Sequence, residues 1–258
     1  MKKQTESKKA WGRKNIIQLW IVAALAVACC AALVVSVVQI VAALNTYSQA
    51  DREYDNLREN YKPAVSAGYD APQSLAAASS AEPAPPLSLS EINSDYIGWI
   101  TIPDTRVDYP MVQGSDNVRY LTTSFEGSYN AAGAIFMEVA NTEVFASRHA
   151  VLYGHNMNNG AMFGELAQYA DAAWLADHSR IDIVTADNQV LTYRVFAARK
   201  TDVWDAAYRV AFADDADFTA FAAALGAPAG VPRMLTLSTC TTGGADEERY
   251  LVHAALEA

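Results

Sequence analysis

The longest feature of the hydropathy pattern is an apolar run near the N-terminus. Residues 16–44 contain only three polar interruptions, at Gln18, Ser36 and Gln39. A bilayer core requires roughly 20 apolar residues, whereas the apolar part of a cleavable signal peptide has about 7–15. Six Lys and Arg residues precede the run, within residues 1–15. Because positive charge stays on the cytoplasmic side, the pattern predicts an uncleaved transmembrane anchor over 16–44, a cytoplasmic tail over 1–15 and an extracytoplasmic remainder.

The segment that follows, residues 45–86, changes character halfway. Residues 45–62 are polar and charged, and a helix is predicted there because four residues recur near helical spacing: Tyr47, Tyr54, Leu57 and Tyr61. Pro63 ends that pattern, and the residues up to 86 are rich in Ala, Ser and Pro. This composition is typical of a linker, so a folded domain is expected over 87–258.

Short β-type patterns dominate residues 87–258. The predicted strands are 98–102, 107–112, 134–137, 150–153, 181–184, 190–196, 234–240 and 250–255. Short helices are predicted over 90–96 and 217–225, and Asp187 and Asn188 mark a hairpin turn. Many short strands with few helices favour a mainly β domain, either a closed barrel or a sandwich.

Charge and cysteine content narrow the possible functions. The chain has a formal net charge of -10, which is opposite to the basic footprint of a nucleic-acid-binding domain. Of the three cysteines, Cys29 and Cys30 lie within the apolar run, so Cys240 stands alone in the predicted domain. This excludes a disulfide framework and a multi-cysteine zinc site. Cys240 is therefore either a buried small apolar residue or a reactive thiol.

The strand pattern around Cys240 favours a reactive thiol. Side chains alternate between the two faces of a strand, so Leu235 and Leu237 share one face and Cys240 lies on the other, more polar face of 234–240. A reactive cysteine needs a cation or an imidazole that stabilises or generates its thiolate.

Four histidines are candidates for that imidazole. His155 is modestly favoured, because it follows a predicted strand in a loop where catalytic groups are commonly held, and Gly154 permits a tight turn there. His149 is expected to be a solvated loop residue, His178 a cap or surface residue, and His253 a packed or hydrogen-bonded residue of the last strand.

Arg249 is a candidate for the cation. It opens the last strand, and a glycine-containing loop over 241–248 would close an antiparallel hairpin that brings it beside Cys240. In that position an arginine stabilises an oxyanion. The spacing leaves a second role equally open, which is a surface salt bridge to a carboxylate of the same loop: Asp246, Glu247 or Glu248.

At this point the motifs resemble those of a known family. The segment 236–240 reads Thr-Leu-Ser-Thr-Cys, which matches the TLxTC signature of sortases, the membrane-anchored cysteine transpeptidases of Gram-positive bacteria. Further motifs occur in the order found in class B sortases, at 98–103, 108–113, 116–117, 120–121, 125–127, 153–157, 159–164 and 249–253. The helix predicted over 217–225 also lies where class B sortases carry an added helix. The resemblance begins at Ile92 and covers about two thirds of the chain.

The resemblance implies a fold, a site and a reaction. The fold is a closed sortase-type β-barrel of about eight strands with peripheral helices. Cys240 would be the nucleophile, His155 the proton-transfer partner and Arg249 an oxyanion donor. The implied groove residues are Asn117, Leu121, Ser238, Thr241 and Tyr208, with the backbone N–H of Thr241 a second oxyanion donor. No metal or cofactor is implied.

The resemblance also implies partners. Secreted proteins with a C-terminal sorting motif, of the NPxTx type in class B, would be cleaved at a Thr–X bond, and the acyl group would pass to an amine of the peptidoglycan cross-bridge or its precursor. The other implied partner is the cytoplasmic membrane, and nucleic acid is not a partner. The loop after Cys240 departs from the family in being short and glycine-rich.

Three alternative functions compete with this one. A pilus-associated sortase would attach or polymerise pilins with the same chemistry. A cysteine transpeptidase acting on peptidoglycan itself would carry an SxGC-type site, which Ser238-Thr239-Cys240 does not match. A non-enzymatic, membrane-tethered thiol module would need neither His155 nor Arg249 near the thiol.

Overall fold

The N-terminal part of the chain is a single helix. The structure, a computed structural model, describes residues 2–63, 88–240 and 247–257. The chain divides into two compact units, residues 1–48 and 49–258. The first unit is the N-terminal part of helix α1, which runs Lys2–Tyr61. Its segment Gln18–Val41 is long and apolar enough to cross a membrane, and its side chains are exposed, as predicted for a membrane anchor over this part of the sequence.

The second unit contains a closed β-barrel. Within the described residues its strands are β1 Tyr96–Thr101, β2 Asp108–Val112, β3 Ile135–Met137, β4 His149–Tyr153, β5 Arg180–Thr185, β6 Val190–Asp202, β7 Met234–Cys240 and β8 Glu248–Leu256. The order around the barrel is β1-β2-β3-β4-β7-β8-β6-β5, and β5 returns to pair with β1. Only β2–β3 and β4–β7 are parallel among these pairs. The pattern of short strands therefore forms a barrel and not a sandwich.

The helices lie at the periphery of this barrel. They are α2 Leu89–Ile92, α3 Ala172–Asp177 and α4 Asp215–Ala224, with 3₁₀ turns at Arg119–Leu121, Leu166–Ala170 and Ala206–Tyr208. Helix α4 confirms the prediction over 217–225, and it begins two residues earlier because the Asp214 side chain caps it by accepting from Asp217 N–H. The helix predicted over 90–96 is a single turn, because β1 begins at Tyr96.

The hairpin predicted at Asp187–Asn188 is present between β5 and β6. Asn188 adopts φ 62°, a left-handed conformation that asparagine tolerates well. Strand β6 continues to Asp202, well past the predicted end at 196, because its second half pairs with β8.

The end of α1 belongs to the barrel unit. Ala50, Tyr54 and Leu57 are buried members of the main hydrophobic core. The Tyr54 hydroxyl donates to the carbonyl of Gly133 at 2.5 Å, and the Tyr54 and Tyr109 rings meet edge to face at 5.2 Å. The barrel unit therefore starts at Gln49, earlier than the expected position 87. The linker predicted from composition, up to 86, lies almost entirely outside the described residues.

Three histidines take structural positions. His149 opens β4 and is fully buried, so the expectation of a solvated loop residue is wrong. Its Nδ1 donates to the carbonyl of Arg209 at 2.7 Å, and its Nε2 lies 2.7 Å from Thr236 Oγ1. His253 is also buried and reaches the same hydroxyl at 2.9 Å, as expected for a packed strand residue. His178 follows α3 as its C-cap and stacks on Trp174, as expected for a cap.

Candidate active site

A cleft of about 410 Å³ opens at the end of the barrel where β4 and β7 finish and β8 begins. Residues from several strand ends and loops line it: Asn117, Leu121, Phe136, Glu138, Tyr153, Gly154, His155, Val203, Tyr208, Ser238, Thr239 and Arg249. Six of the eight predicted groove or catalytic residues are thus brought together from distant parts of the sequence: Asn117, Leu121, His155, Tyr208, Ser238 and Arg249.

The β7–β8 ladder places Cys240 directly opposite Arg249. Cys240 is the last residue of β7, and the antiparallel register pairs it with Arg249 in β8. The hairpin predicted between these strands is therefore confirmed. Its loop, 241–246, includes Thr241 and lies outside the described residues. Arg249 is partly buried, and its Nη1 donates to the carbonyl of Glu248 at 2.9 Å.

Hydrogen bonds of both its backbone and its side chain hold His155 in place. It follows β4, whose last residue Tyr153 pairs with Ser238 of β7. The His155 carbonyl accepts from Phe163 N–H at 2.9 Å, and its Nε2 donates to the carbonyl of Leu121 at 2.6 Å. A backbone carbonyl is an acceptor only, so this contact assigns the Nε2 proton and leaves Nδ1 available for chemistry.

Gly154 allows the loop to pack this closely. A Cβ at this position would lie 2.5 Å from Ile135 Cδ1 and 2.7 Å from Phe163 Cδ2. Glycine is therefore required by the close approach of these side chains, rather than by the turn conformation that the sequence suggested.

Tyr208 forms another wall of the cleft. It ends the turn Ala206–Tyr208, and its hydroxyl shares a hydrogen bond of 2.9 Å with Ser238 Oγ. Asp205 caps this turn and is held by a bidentate pair of 2.7 Å contacts with the Arg199 guanidinium. Desolvation would raise the pKa of Asp205, but hydrogen bonds from Arg199 and Thr201 outweigh it and lower the pKa to about 2.

A polar cluster that the sequence reasoning missed also lines the cleft. Glu138 follows β3 and accepts from the Asn117 amide and from the Tyr153 hydroxyl. Burial raises the pKa of Tyr153 well above its usual value, and the hydrogen bond to Glu138 adds to the effect. The sequence did indicate their positions, because Glu138 and Tyr153 stand at the ends of two predicted strands. Their side chains meet only if those two strands are neighbours, which the local pattern does not show.

The described part of the cleft contains groups that nucleophilic acyl transfer uses. An imidazole and a guanidinium line one cleft, and the cysteine position is set opposite the guanidinium by the strand register. Among the residues that the structure describes, no group of three or more His, Cys, Asp or Glu side chains could hold a metal ion.

Comparison with known proteins identifies the family. Residues 100–257 match the model of the sortase domain. The chain is 32% identical to sortase B of Listeria monocytogenes over 165 residues, which is 60% of this chain and 66% of that protein, just under two thirds of its length. The substrate complex of Staphylococcus aureus sortase B has a TM-score of 0.60 and 30% identity, covering 66% of this chain and 82% of that one. Sortase B of Bacillus anthracis has a TM-score of 0.58 and 32% identity, covering 65% of this chain and 81% of that one.

The chain therefore belongs to the sortase family of cysteine transpeptidases. The curated and solved relatives described above are all sortase B proteins, which places the chain in class B.

Proposed function

We propose that this protein cleaves a C-terminal sorting motif of secreted proteins at a Thr–X bond and transfers the acyl group to a cell-wall amine. The observation that carries the proposal is the β7–β8 register, which sets Cys240 opposite Arg249 beside a cleft that His155 also lines. The relative from Staphylococcus aureus was solved as a sortase B–substrate complex, which supports a peptide substrate for a cleft of this fold.

The reaction has two acyl-transfer steps. The Cys240 thiolate attacks the threonine carbonyl carbon, the C–N bond of the scissile peptide breaks, and protonated His155 gives its proton to the leaving amine. With Nε2–H donating to Leu121, Nδ1 is the nitrogen that exchanges this proton. An acceptor amine then attacks the thioester, an amide forms, the thiolate departs and His155 regains a proton.

Arg249 and the backbone N–H of Thr241 stabilise the oxyanion in both steps. Asn117, Leu121, Tyr208 and Ser238 bind the peptide on either side of the reacting carbonyl. These groove side chains come from segment 117–121, from the turn Ala206–Tyr208 and from β7, which supports contact with an extended peptide along the cleft.

The apolar segment Gln18–Val41 supports the proposed location. The chain is anchored in the cell membrane by a single helix, with its basic N-terminus in the cytoplasm and the barrel outside. Protease added to intact protoplasts should remove the barrel. Survival of the full-length chain under those conditions would refute this orientation.

The decisive experiment incubates the full-length chain in detergent with a set of fluorogenic NPxTx peptides and no acceptor amine. Mass spectrometry then detects any adduct on the protein, and fluorescence reports the cleavage rate. A thioester adduct on Cys240 is expected, and cleavage should be absent in Cys240→Ala. His155→Ala should lower the cleavage rate by about 10²–10⁴-fold, the usual contribution of general acid–base catalysis. Arg249→Lys retains the charge but loses the planar fork, so a loss of roughly 10²-fold is expected.

His178→Ala is the matched control, because His178 caps α3 and does not line the cleft. Its cleavage rate should equal that of the unmodified protein. Cleavage without an adduct on Cys240, or a His178→Ala loss as large as that of His155→Ala, would contradict the covalent scheme.

A further inference from the structure

Glu138 is the one acidic side chain among the cleft-lining residues that the structure describes, and the acyl-transfer scheme gives it no role. Its position on the wall is fixed by its own backbone. The Glu138 N–H donates to the carbonyl of Val151 at 2.9 Å, and the Glu138 carbonyl accepts from Gln113 Nε2 at 3.0 Å. These two hydrogen bonds fix the backbone position from which the Glu138 carboxylate projects.

The acceptor capacity of this carboxylate is used within the protein. Asn117 Nδ2 lies 2.8 Å from both carboxylate oxygens, and the Tyr153 hydroxyl donates to Oε2 at 2.7 Å. The backbone N–H of Ala140 donates to Oε1 at 3.1 Å. An ionised carboxylate has about four acceptor sites, so these contacts nearly fill it. Glu138 thus acts on its neighbours and has little capacity left for a donor of the substrate.

The orientation of the Asn117 amide depends on this contact. Asn117 Oδ1 accepts from the backbone N–H of Val139 at 2.9 Å, so the amide nitrogen must face Glu138. A glutamine at 138 would offer one carbonyl oxygen in place of two carboxylate oxygens, and its own NH₂ group would face another donor. Asn117 would then lose a partner or turn over and lose the Val139 contact.

The contact of Glu138 with Tyr153 links it to further residues of the cleft. The Tyr153 ring stacks on Tyr208 with centroids 6.1 Å apart and planes at 17°. The Tyr208 hydroxyl in turn reaches Ser238 Oγ on β7. One carboxylate thereby connects the wall that carries Asn117 with the strand that ends at Cys240.

We propose that Glu138 is a positioning residue that holds Asn117 and Tyr153 in the orientations in which they receive the substrate peptide. The proposal rests on the proposed function, because it requires that the cleft bind a peptide. When only a fraction of the protein has the competent orientation, the apparent affinity falls by that fraction. Glu138→Gln should therefore raise KM about tenfold, with kcat changed by less than about twofold.

The kinetic test compares four full-length proteins in detergent, using the best-cleaved NPxTx peptide. They are the unmodified chain, Glu138→Gln, Tyr153→Phe and the double variant. Because both substitutions break the same contact, the double variant should raise KM no further than the worse single variant. Glu143→Gln is the matched control, since Glu143 is exposed in the loop between β3 and β4, and its KM should be unchanged. Independent, multiplying effects of the two substitutions would overturn the proposal.

Two further measurements distinguish a failure of this proposal from a failure of the proposed function. The side-chain amide NMR signal of Asn117, assigned by its loss in Asn117→Asp, should shift in Glu138→Gln and stay fixed in Glu143→Gln. The pH profile of Cys240 alkylation by iodoacetamide should be the same in both variants. A shifted profile would mean that Glu138 acts on the thiol, and an unmoved amide signal would mean that it does not orient Asn117; either result overturns the proposal. If the unmodified chain cleaves no peptide, the proposed function fails, while the amide signal still decides whether Glu138 positions Asn117.

Discussion

The packing of the last turns of α1, from Gln49 onward, on the barrel can be tested at Leu57. This side chain has no exposed surface and belongs to the main core, whereas in a detached membrane-exit helix it would be exposed to solvent. Truncating a fully buried leucine to alanine costs about 2–5 kcal/mol, from lost transfer free energy and the cavity that remains. The whole stability of a domain is about 5–15 kcal/mol, so the effect is a large fraction of it.

The assay is unfolding of the fragment 49–258, which is the compact unit that contains the barrel. For a domain of this size, 1 kcal/mol shifts Tm by about 2–4 °C, so Leu57→Ala should lower Tm by roughly 4–20 °C. The urea midpoint should fall while the slope of the unfolding transition stays the same, because the surface exposed on unfolding changes little.

Asn56→Ala is the control on the same turn of the helix, because Asn56 is exposed. Surface substitutions of this kind usually stay within about 0.5 kcal/mol. If Leu57→Ala leaves Tm at the value of Asn56→Ala, the helix does not pack on the barrel, and a domain starting at 87 would be the better description.

Three other predictions concern the core and the walls of the cleft. Burial lowers the pKa of both His149 and His253 to about 4, so each is neutral when folded and gains a proton on unfolding below about pH 6.5. Stability should therefore be complete above pH 6.5 and fall between pH 6.5 and 4, by about 2 kcal/mol per histidine at pH 5 in urea titrations. The loss of stability between pH 6.5 and 4 should be smaller in His253→Gln. An equal loss in that variant would refute the assignment of part of this pH dependence to His253. Gly154→Ala should slow cleavage at least tenfold, because overpacking costs about 1–3 kcal/mol and displaces the loop of His155; a normal rate would show that the loop adapts. Asp205→Ala removes the cap of the Tyr208 turn and should raise KM for the peptide with little change in Cys240 alkylation, and an unchanged KM would show that the turn holds without its cap.

The sequence predicts the positions of the barrel strands. Every predicted strand overlaps an observed one, because short alternating or apolar runs bounded by turn residues are a local signal. The end of β6 was not readable, since residues 197–202 alternate weakly and are held in place by β8, which lies about 50 residues later. Pairing between distant segments is not visible in the local pattern.

The last turns of α1 show a similar limit. Tyr54 and Leu57 form one apolar face, but the same spacing fits either a helix leaving a membrane or a helix packed on a domain. The composition of the following linker favoured the first interpretation. The partner surface is supplied by Tyr109 of β2 and by Gly133 in the loop before β3, both more than 50 residues away.

Most of the cleft-lining residues that the sequence singled out lie in the signature segments, as His155 and Arg249 do, whereas Tyr208 lies outside them and came from the family resemblance. Glu138 was missed because its importance depends on the simultaneous approach of Asn117 and Tyr153. His149 was misassigned for a related reason, since its burial depends on pairing with Met234 of β7.

Strand β7 explains how the core and the cleft are connected. Thr236 and Ser238 are two residues apart and so share one face, the polar face that the alternation predicted. That face is buried: the Thr236 hydroxyl lies between His149 and His253, and the Ser238 hydroxyl meets Tyr208. Because His149 Nδ1–H donates to a backbone carbonyl, neutral His149 accepts from Thr236 at Nε2, and Thr236 in turn accepts from His253. The proton order of this chain requires a neutral His149, because its Nε2 must accept from Thr236, so protonation of His149 disturbs the same strand that carries Cys240 at its end.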